Sequence, residues 1–135
     1  MIIVDTSVWI AHVRDHTALR QVQTLRAIDV DEVLVGDIVM AEVLQGARND
    51  KDAMRLEAEL RQFPIVAMVG DDMAVKAAGH YRTLRAAGFT LKLPDLLIAT
   101  FCIAHSHELL QCDTDFEPMA RICGLRLLRL SLIHI

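Results

Sequence analysis

Five acidic residues stand where an apolar segment begins or ends, or inside an apolar helix. Asp5 directly follows the apolar residues IIV, and Asp113 and Asp115 follow the apolar segment ELLQC. Asp95 stands where a nearly all-apolar segment begins, and Glu42 lies within IVMAEVL. Carboxylates that meet in one pocket repel each other, so such a set needs either a bound cation or raised pKa values. Oxygen ligands without a His or Cys partner favour Mg²⁺ or Mn²⁺ over zinc.

Each acid also has an ordinary structural alternative. Aspartate is a preferred N-cap of helices, and this role is open to Asp5, Asp95, Asp113 and Asp115. Glu42 caps nothing in mid-helix, and a half-buried carboxylate costs several kcal/mol unless it is neutralised. A salt bridge to Arg48 is therefore the alternative for Glu42. Taken one at a time, these acids do not distinguish the two interpretations.

The elements that position these acids can be predicted from hydrophobic periodicity and from turn residues. Strands are predicted at residues 2–4, 33–36 (VLVG), 65–69 (IVAMV), 108–112 (ELLQC) and 125–128 (LRLL). Helices are predicted from Thr6, near 17–28, from Ile38, near 50–62, from Asp71 or Asp72 to Gly88, from Pro94 and Asp95, and over DFEPMARIC. Asp37 is predicted to cap the third helix, and Asp71 or Asp72 the fifth.

Strands alternate with helices along the whole chain, which predicts one three-layer α/β/α domain around a mainly parallel five-stranded sheet. In an open α/β sheet, ligand sites form beyond the carboxyl ends of the strands. Asp5 and Asp113 would lie at that edge. We therefore expect the acids to converge there, although they are far apart along the chain.

Carboxylates that hold magnesium, with waters left in its shell, suit in-line attack on a phosphodiester. The metal lowers the pKa of a bound water and stabilises charge on the attacked and departing oxygens, and two ions could share these tasks. The net charge of −4 argues against a protein that holds nucleic acid through bulk positive charge. Bound cations or local arginines would have to attract a polyanion.

The 135 residues correspond to about one domain, predicted to span residues 1–130, with an apolar tail at 131–135 whose role is open. No apolar run approaches the ~20 residues that a membrane span needs. Asp5 interrupts the apolar N-terminus early, so we expect no secretory signal. We expect a cytoplasmic location. The three cysteines, Cys102, Cys112 and Cys123, lie in apolar contexts without CxxC spacing, and buried free thiols are expected.

An ordered set of segments resembles the PIN domain, and specifically the VapC-type toxin ribonucleases. The segments are VDTSVWI, AEVLQGAR, LPDLLIATFCIAH, LLQCDTDFEPMA and LRLL. The resemblance runs from about Ile2 to Leu128, in the expected order and spacing. It implies a Mg²⁺- or Mn²⁺-dependent endoribonuclease, an RNA substrate, a homodimer, and a cognate antitoxin that blocks the site.

Carried over by position, the acids of the resembled family fall on Asp5, Glu42, Asp95 and Asp113, with Asp115 as an auxiliary candidate. The resemblance makes Asp5 and Asp95 the most direct metal ligands, whereas Glu42 and Asp113 would hold water of the metal shell or a second ion. The hydroxyl of Thr6 or Ser7 would orient a ligand or bind a phosphate oxygen, unless it simply caps the helix.

The sequence departs from that family pattern at Gln111, where a hydroxyl residue is common, and Cys112 comes next. Hydroxyl support for Asp113 is therefore not expected. Two other functions stay open: a metal-dependent phosphatase or phosphoacceptor domain, which also places an aspartate after its first strand, and a binding module whose acids are structural.

Overall fold

The computed structural model describes residues 1–130, and the predicted apolar tail at 131–135 lies outside the described residues. Five strands form one sheet: β1 Ile2–Val4, β2 Val33–Gly36, β3 Ile65–Val66, β4 Glu108–Leu110 and β5 Arg126–Leu127. Over the same residues the α-helices are α1 Thr6–Val13, α2 Arg20–Ala27, α3 Asp37–Gln45, α4 Asp50–Leu60, α5 Asp71–Ala86, α6 Leu93–His105 and α7 Glu117–Cys123. Short 3₁₀ turns at Val30–Glu32 and Thr114–Phe116 precede β2 and α7.

All strand pairs are parallel, in the order β3-β2-β1-β4-β5. The chain thus leaves β1 toward β2 on one side and later adds β4 on the other, so β1 and β4 flank the point at which the strand order reverses. Crevices outside the carboxyl ends of the strands form at such a point. The predicted parallel sheet is confirmed, and its topology provides a place for a ligand beside the end of β1.

The helices form two groups. Helix α1 packs on α2 and α3, and α3 packs on α4, whereas α5 packs on α6 and α7. Together with the sheet they build the predicted three-layer α/β/α arrangement. The core is apolar on both faces of the sheet; β1 is buried throughout, and Trp9 and Phe116 are the largest fully buried side chains.

The N-cap predicted for the third helix is wrong. Gly36 holds that position, and the Asp37 carboxylate instead accepts a hydrogen bond from the Met68 backbone N–H at 3.0 Å. The third strand, Ile65–Val66, is shorter than predicted, because its partner β2 ends at Gly36, which pairs with Val66. The Met68 side chain packs so tightly on Gly36 that an added Cβ there would collide with it.

Two other predictions concern helix ends and membranes. Helix α5 begins after Gly70 without a side-chain cap, so the predicted caps Asp71 and Asp72 are wrong. Gly88, in the left-handed region at φ 89°, does stop this helix, as expected. No helix within residues 1–130 is long and apolar enough to cross a membrane.

Candidate active site

Asp5 joins the end of β1 to the start of α1. Its backbone N–H donates to the Leu110 carbonyl at 2.9 Å, which holds it against the end of β4. Its carboxylate Oδ2 caps α1, accepting from the Ser7 N–H at 3.4 Å and from the Ser7 hydroxyl at 2.6 Å. Asp5 is only 5% exposed, and within residues 1–130 its other oxygen, Oδ1, has no hydrogen-bond partner.

Burial raises the pKa of Asp5, and the hydrogen bonds from the Ser7 hydroxyl and backbone N–H lower it in part. A buried carboxylate oxygen without a donor costs free energy comparable to a lost hydrogen bond or more. A cation bound to Oδ1 would remove this cost. The bond from the Ser7 N–H confirms the N-cap role open to Asp5, and this role uses only Oδ2, so Oδ1 is free for a ligand.

Glu42 lies half-buried on α3, where α3 packs on α1. Its Oε1 accepts a hydrogen bond from the Thr6 hydroxyl at 2.7 Å. The alternative of a salt bridge to Arg48 is wrong, because the Arg48 guanidinium pairs with Asp52 at 3.4 Å. The two neighbouring hydroxyls of α1 thus each hold one acid.

Asp95 lies in the first turn of α6, after Pro94. The residue at the N-cap of this helix is Lys92, so the alternative that Asp95 caps it is wrong. The side chain is half-buried at the start of a helix whose next residues are largely buried. Proline fits the first turn of a helix because it lacks a backbone N–H, and it sets the start of α6 and with it the position of Asp95.

The pKa of Asp95 shows that the acids share one neighbourhood. Burial, followed by the negative charges of Asp5, Glu42, Asp113 and Asp115 in that order, raises it to about 6. Charges raise a pKa in this way only when they lie close enough to escape most solvent screening. The tertiary structure therefore brings all five acids to the same edge of the sheet.

Asp113 and Asp115 follow β4. The Asp113 carboxylate caps the 3₁₀ turn by accepting from the Asp115 N–H at 2.9 Å, so the expected capping role is confirmed for Asp113. The Asp113 N–H donates to the Gln111 side-chain oxygen at 2.6 Å. Asp113 is half-buried and Asp115 is exposed.

The donor set fits a hard divalent cation that keeps several waters. As the side chains lie, no three His, Cys, Asp or Glu residues in the described part of the chain can ligate one ion directly. Mg²⁺ in proteins is commonly bound through one or two carboxylates while water completes its shell. The unpartnered Oδ1 of Asp5 and the mutual repulsion at Asp95 are the features that such an ion would relieve.

Asp95→Asn should stabilise the metal-free protein at neutral pH. The pKa of this carboxyl is about 6 in the folded state, against 3.8 in the unfolded chain. The folded state therefore holds a proton that the unfolded state releases, and wild-type stability falls as pH rises from about 4 to about 6. Because Asp95 is partly exposed, solvent screens part of the repulsion, and the expected gain in the free energy of unfolding above pH 6 is about 1 kcal/mol.

Urea unfolding in EDTA at pH 3.5 and pH 7.5 measures this difference. The gain should be largely lost at the lower pH, where the folded wild type is protonated and the unfolded chain is mostly protonated. Asp72→Asn, the same change at an exposed position of α5, is the matched control and should show no such pH dependence. An equal gain at both pH values would contradict the assigned cause.

Cys112 was not predicted to contribute to the site. All three cysteines are free, as expected, but only Cys102 is buried; Cys123 is partly buried and Cys112 is exposed. The Cys112 thiol donates to the Ser7 hydroxyl at 3.2 Å. Its position next to Asp113 was the only sequence signal that could have indicated this contact.

Three arginines that could meet phosphate line a groove whose lining includes none of the five acids. Arg14, Arg48 and Arg55 line a groove of about 360 Å³ between α1, α3 and α4. The Asp52 carboxylate there accepts from the Arg48 backbone N–H and from the guanidinium groups of Arg55 and Arg48, which together lower the pKa of Asp52 to about 2. Arg14 is thus the better candidate of the three for contact with an anion.

Comparisons with known proteins agree with this architecture. Residues 2–122 match the PIN domain family. The chain is 32% identical over 130 residues to Ribonuclease VapC11 of Mycobacterium tuberculosis, covering 93% of this chain and 96% of that protein.

Solved structures show the same fold. The crystal structure of VapBC2 from Rickettsia felis bound to a DNA fragment from their promoter has a chain with TM-score 0.75 and 22% identity, covering 97% of this chain and 100% of that one. FitAcB from Neisseria gonorrhoeae has a chain with TM-score 0.74 and 21% identity, covering 96% and 97%. The match over residues 2–122 and the 32% identity to a VapC ribonuclease show that this chain belongs to the PIN domain family and is of the VapC type.

Proposed function

We propose that this chain is a Mg²⁺- or Mn²⁺-dependent endoribonuclease that acts as the toxin of a type II toxin–antitoxin pair and is inhibited by a cognate antitoxin. The observation that carries the proposal is the buried Oδ1 of Asp5, which lacks a hydrogen-bond donor. The carboxylates of Asp5, Glu42, Asp113 and Asp115 all lie close enough to Asp95 to raise its pKa. The name of the 32% identical relative, Ribonuclease VapC11, supports RNA as the substrate.

The chain's own residues divide the work at this edge. Ser7 occupies Oδ2 of Asp5, so Oδ1 is the oxygen free to bind a cation, and Asp95 supplies a second carboxylate. Thr6 holds the Glu42 carboxylate in place, and Glu42 and Asp113 are assigned to outer waters or a second ion. A bound divalent ion would stabilise the charge that develops on the phosphodiester oxygens and make water a better nucleophile.

The proposed substrate is single-stranded or looped RNA. The acids lie at an open sheet edge, and a scissile phosphate in a duplex is partly shielded from such a shallow site. With a net charge of −4, the protein would depend on its cations to attract the polyanion. We also propose a cytoplasmic location, where such RNA is accessible.

The experiment that tests this proposal is cleavage of a labelled RNA by the purified protein with magnesium, next to phosphate release from a small ester. RNA cleavage that EDTA stops would support the nuclease. Phosphate release without RNA cleavage would favour the phosphatase or phosphoacceptor alternative. Inactivity toward both substrates, in protein shown to be folded, would leave a binding module whose acids are structural.

Glu42→Gln should slow RNA cleavage about ten- to a hundredfold without unfolding the protein. The amide keeps an oxygen for the Thr6 hydroxyl but loses the charge that attracts a cation, and each tenfold corresponds to about 1.4 kcal/mol. The melting temperature in EDTA should stay equal or rise, because repulsion with Asp5 and Asp95 is relieved. Initial cleavage rates and thermal melting measure the two effects.

Thr6→Val is the partner variant for this prediction. It removes the hydrogen bond to Glu42 and keeps the charge, so a smaller loss of activity is expected than for Glu42→Gln. If Glu42→Gln unfolds the protein, Glu42 has a structural role. If the variant is folded and cleaves RNA at the wild-type rate, Glu42 has no role in cation binding.

We propose that two copies associate through an apolar groove of about 540 Å³ between α5 and α6. Val69 and Leu93 line this groove and are 49% and 64% exposed, and Val75 on α5 is 72% exposed. Leu93→Glu should halve the mass measured by light scattering from twice 15.1 kDa to 15.1 kDa. Met54→Glu, at a similarly exposed apolar position on α4, should remain dimeric. An unchanged mass for Leu93→Glu would exclude this interface.

A further inference from the structure

A chain of hydrogen bonds links the segment after β4 to the acid at the end of β1. The Cys112 Sγ lies 3.2 Å from the Ser7 Oγ, and the Ser7 Oγ lies 2.6 Å from the Asp5 Oδ2. Cys112 and Ser7 are separated by 105 positions in the sequence. The contact therefore exists only because β4 pairs directly with β1.

The chemistry of the three groups sets the direction of these bonds. An ionised carboxylate can only accept, so the single proton of the Ser7 hydroxyl is donated to Asp5. The Ser7 oxygen then has only lone pairs left to offer, and Cys112 must be the donor to it. A thiol is a weak donor, but here it prevents the hydroxyl from rotating its proton away from Asp5.

We infer that Cys112 is a positioning residue of the candidate metal centre: its thiol holds the Ser7 hydroxyl on Oδ2 of Asp5 and so keeps Oδ1 free for the cation. This inference rests on the proposed function, because these hydrogen bonds can affect cation binding only if Asp5 binds a cation. Oδ1 of Asp5 is buried and without a partner in the described residues, which is the state that this arrangement preserves.

The position of Cys112 at the surface makes it selectively modifiable. Burial raises the pKa of Cys102 to about 12 and also raises the pKa of Cys123, whereas Cys112 is the exposed thiol of the three. Methyl methanethiosulfonate transfers a methylthio group to a thiol sulfur, forming an S–S bond and releasing methanesulfinic acid, which takes up the thiol proton. The product lacks the S–H donor, and dithiothreitol restores it.

The first test measures the Mn²⁺ dissociation constant by calorimetry in variants that keep or remove the donor. Cys112→Ala should bind about threefold more weakly, as expected for loss of a weak hydrogen bond, and Cys112→Ser should restore wild-type affinity because a hydroxyl also donates. Ser7→Ala should bind about tenfold more weakly, since it removes a bond to a charged group. Because Cys112 acts through Ser7, the double variant should equal Ser7→Ala.

The second test uses the methylthio modification. Wild-type protein should lose Mn²⁺ affinity at least as much as Cys112→Ala and regain it with dithiothreitol, while Cys112→Ser should not respond. Melting temperatures in EDTA should be the same for wild type, Cys112→Ala and Cys112→Ser, because the side chain is exposed and its role concerns the cation.

The outcomes separate this inference from the proposed function. If wild type and Cys112→Ala bind Mn²⁺ equally while Ser7→Ala binds more weakly, Cys112 has no positioning role and the metal centre stands. Equal losses in Cys112→Ala and Cys112→Ser, or additive losses in the double variant, would also overturn it, since they indicate packing and not donation. A folded wild type that binds no Mn²⁺ would overturn both proposals.

Discussion

Asp5→Asn is expected to lower the rate of RNA cleavage at least about a thousandfold, which corresponds to roughly 4 kcal/mol of lost transition-state stabilisation. Among the five acids, Asp5 combines almost complete burial with an oxygen that no group in residues 1–130 satisfies. Asparagine has nearly the same volume and can still accept from Ser7, but it cannot neutralise a divalent cation. The measurement is the initial rate on a labelled RNA at saturating magnesium.

The folded state should survive this substitution. Because burial raises the pKa of Asp5, the ionised carboxylate destabilises the metal-free fold at neutral pH. The melting temperature of Asp5→Asn in EDTA should therefore equal or exceed that of wild type. Loss of activity with an intact melting transition would distinguish a chemical role from simple unfolding.

Asp31→Asn is the matched control. It makes the same change of net charge at an exposed position in the 3₁₀ turn before β2. This turn lies at the amino end of β2, whereas Asp5 lies at the carboxyl end of the parallel strand β1. Its cleavage rate should equal that of wild type. If Asp5→Asn cleaves RNA at a comparable rate, Asp5 is only a helix cap and the proposed site is wrong.

Magnesium should raise the melting temperature of the wild type by roughly 10 °C when its concentration is about one hundred times the dissociation constant. A ligand that binds only the folded state stabilises it by RT ln(1 + [L]/Kd), about 2.7 kcal/mol at that ratio. A domain of this size gains roughly 3–5 °C per kcal/mol. The physical source of the gain is the relief of repulsion among carboxylates that folding forces together.

The size of the shift should follow the acids. Asp5→Asn and Asp95→Asn should respond weakly to magnesium, and Asp31→Asn should respond as wild type does. Potassium chloride at equal ionic strength controls for general screening, which acts on all exposed charges alike. A melting curve that does not change across the magnesium titration, or that changes equally in every variant, would count against a cation site at this edge.

Much of the architecture could be predicted from the sequence because its signals are local. The apolar run at β1, the turn glycine after α5 and the proline at the start of α6 act on neighbouring residues, and these predictions are confirmed. One error arose because a residue had a distant partner. Asp37 was predicted to be a cap from its position alone, whereas its carboxylate bonds to Met68, 31 positions away.

The amino-acid sequence by itself determined the order of the elements and the position of each acid at the end of a strand or in a helix, since periodicity and turn chemistry act over a few residues. Only the tertiary structure decided that Thr6 holds Glu42 and that Cys112 supports Ser7. These contacts join residues up to 105 positions apart, and no local pattern encodes such a distance. The Thr6–Glu42 contact exists because α1 packs on α3, and the Cys112–Ser7 contact exists because strand pairing brings the ends of β1 and β4 side by side.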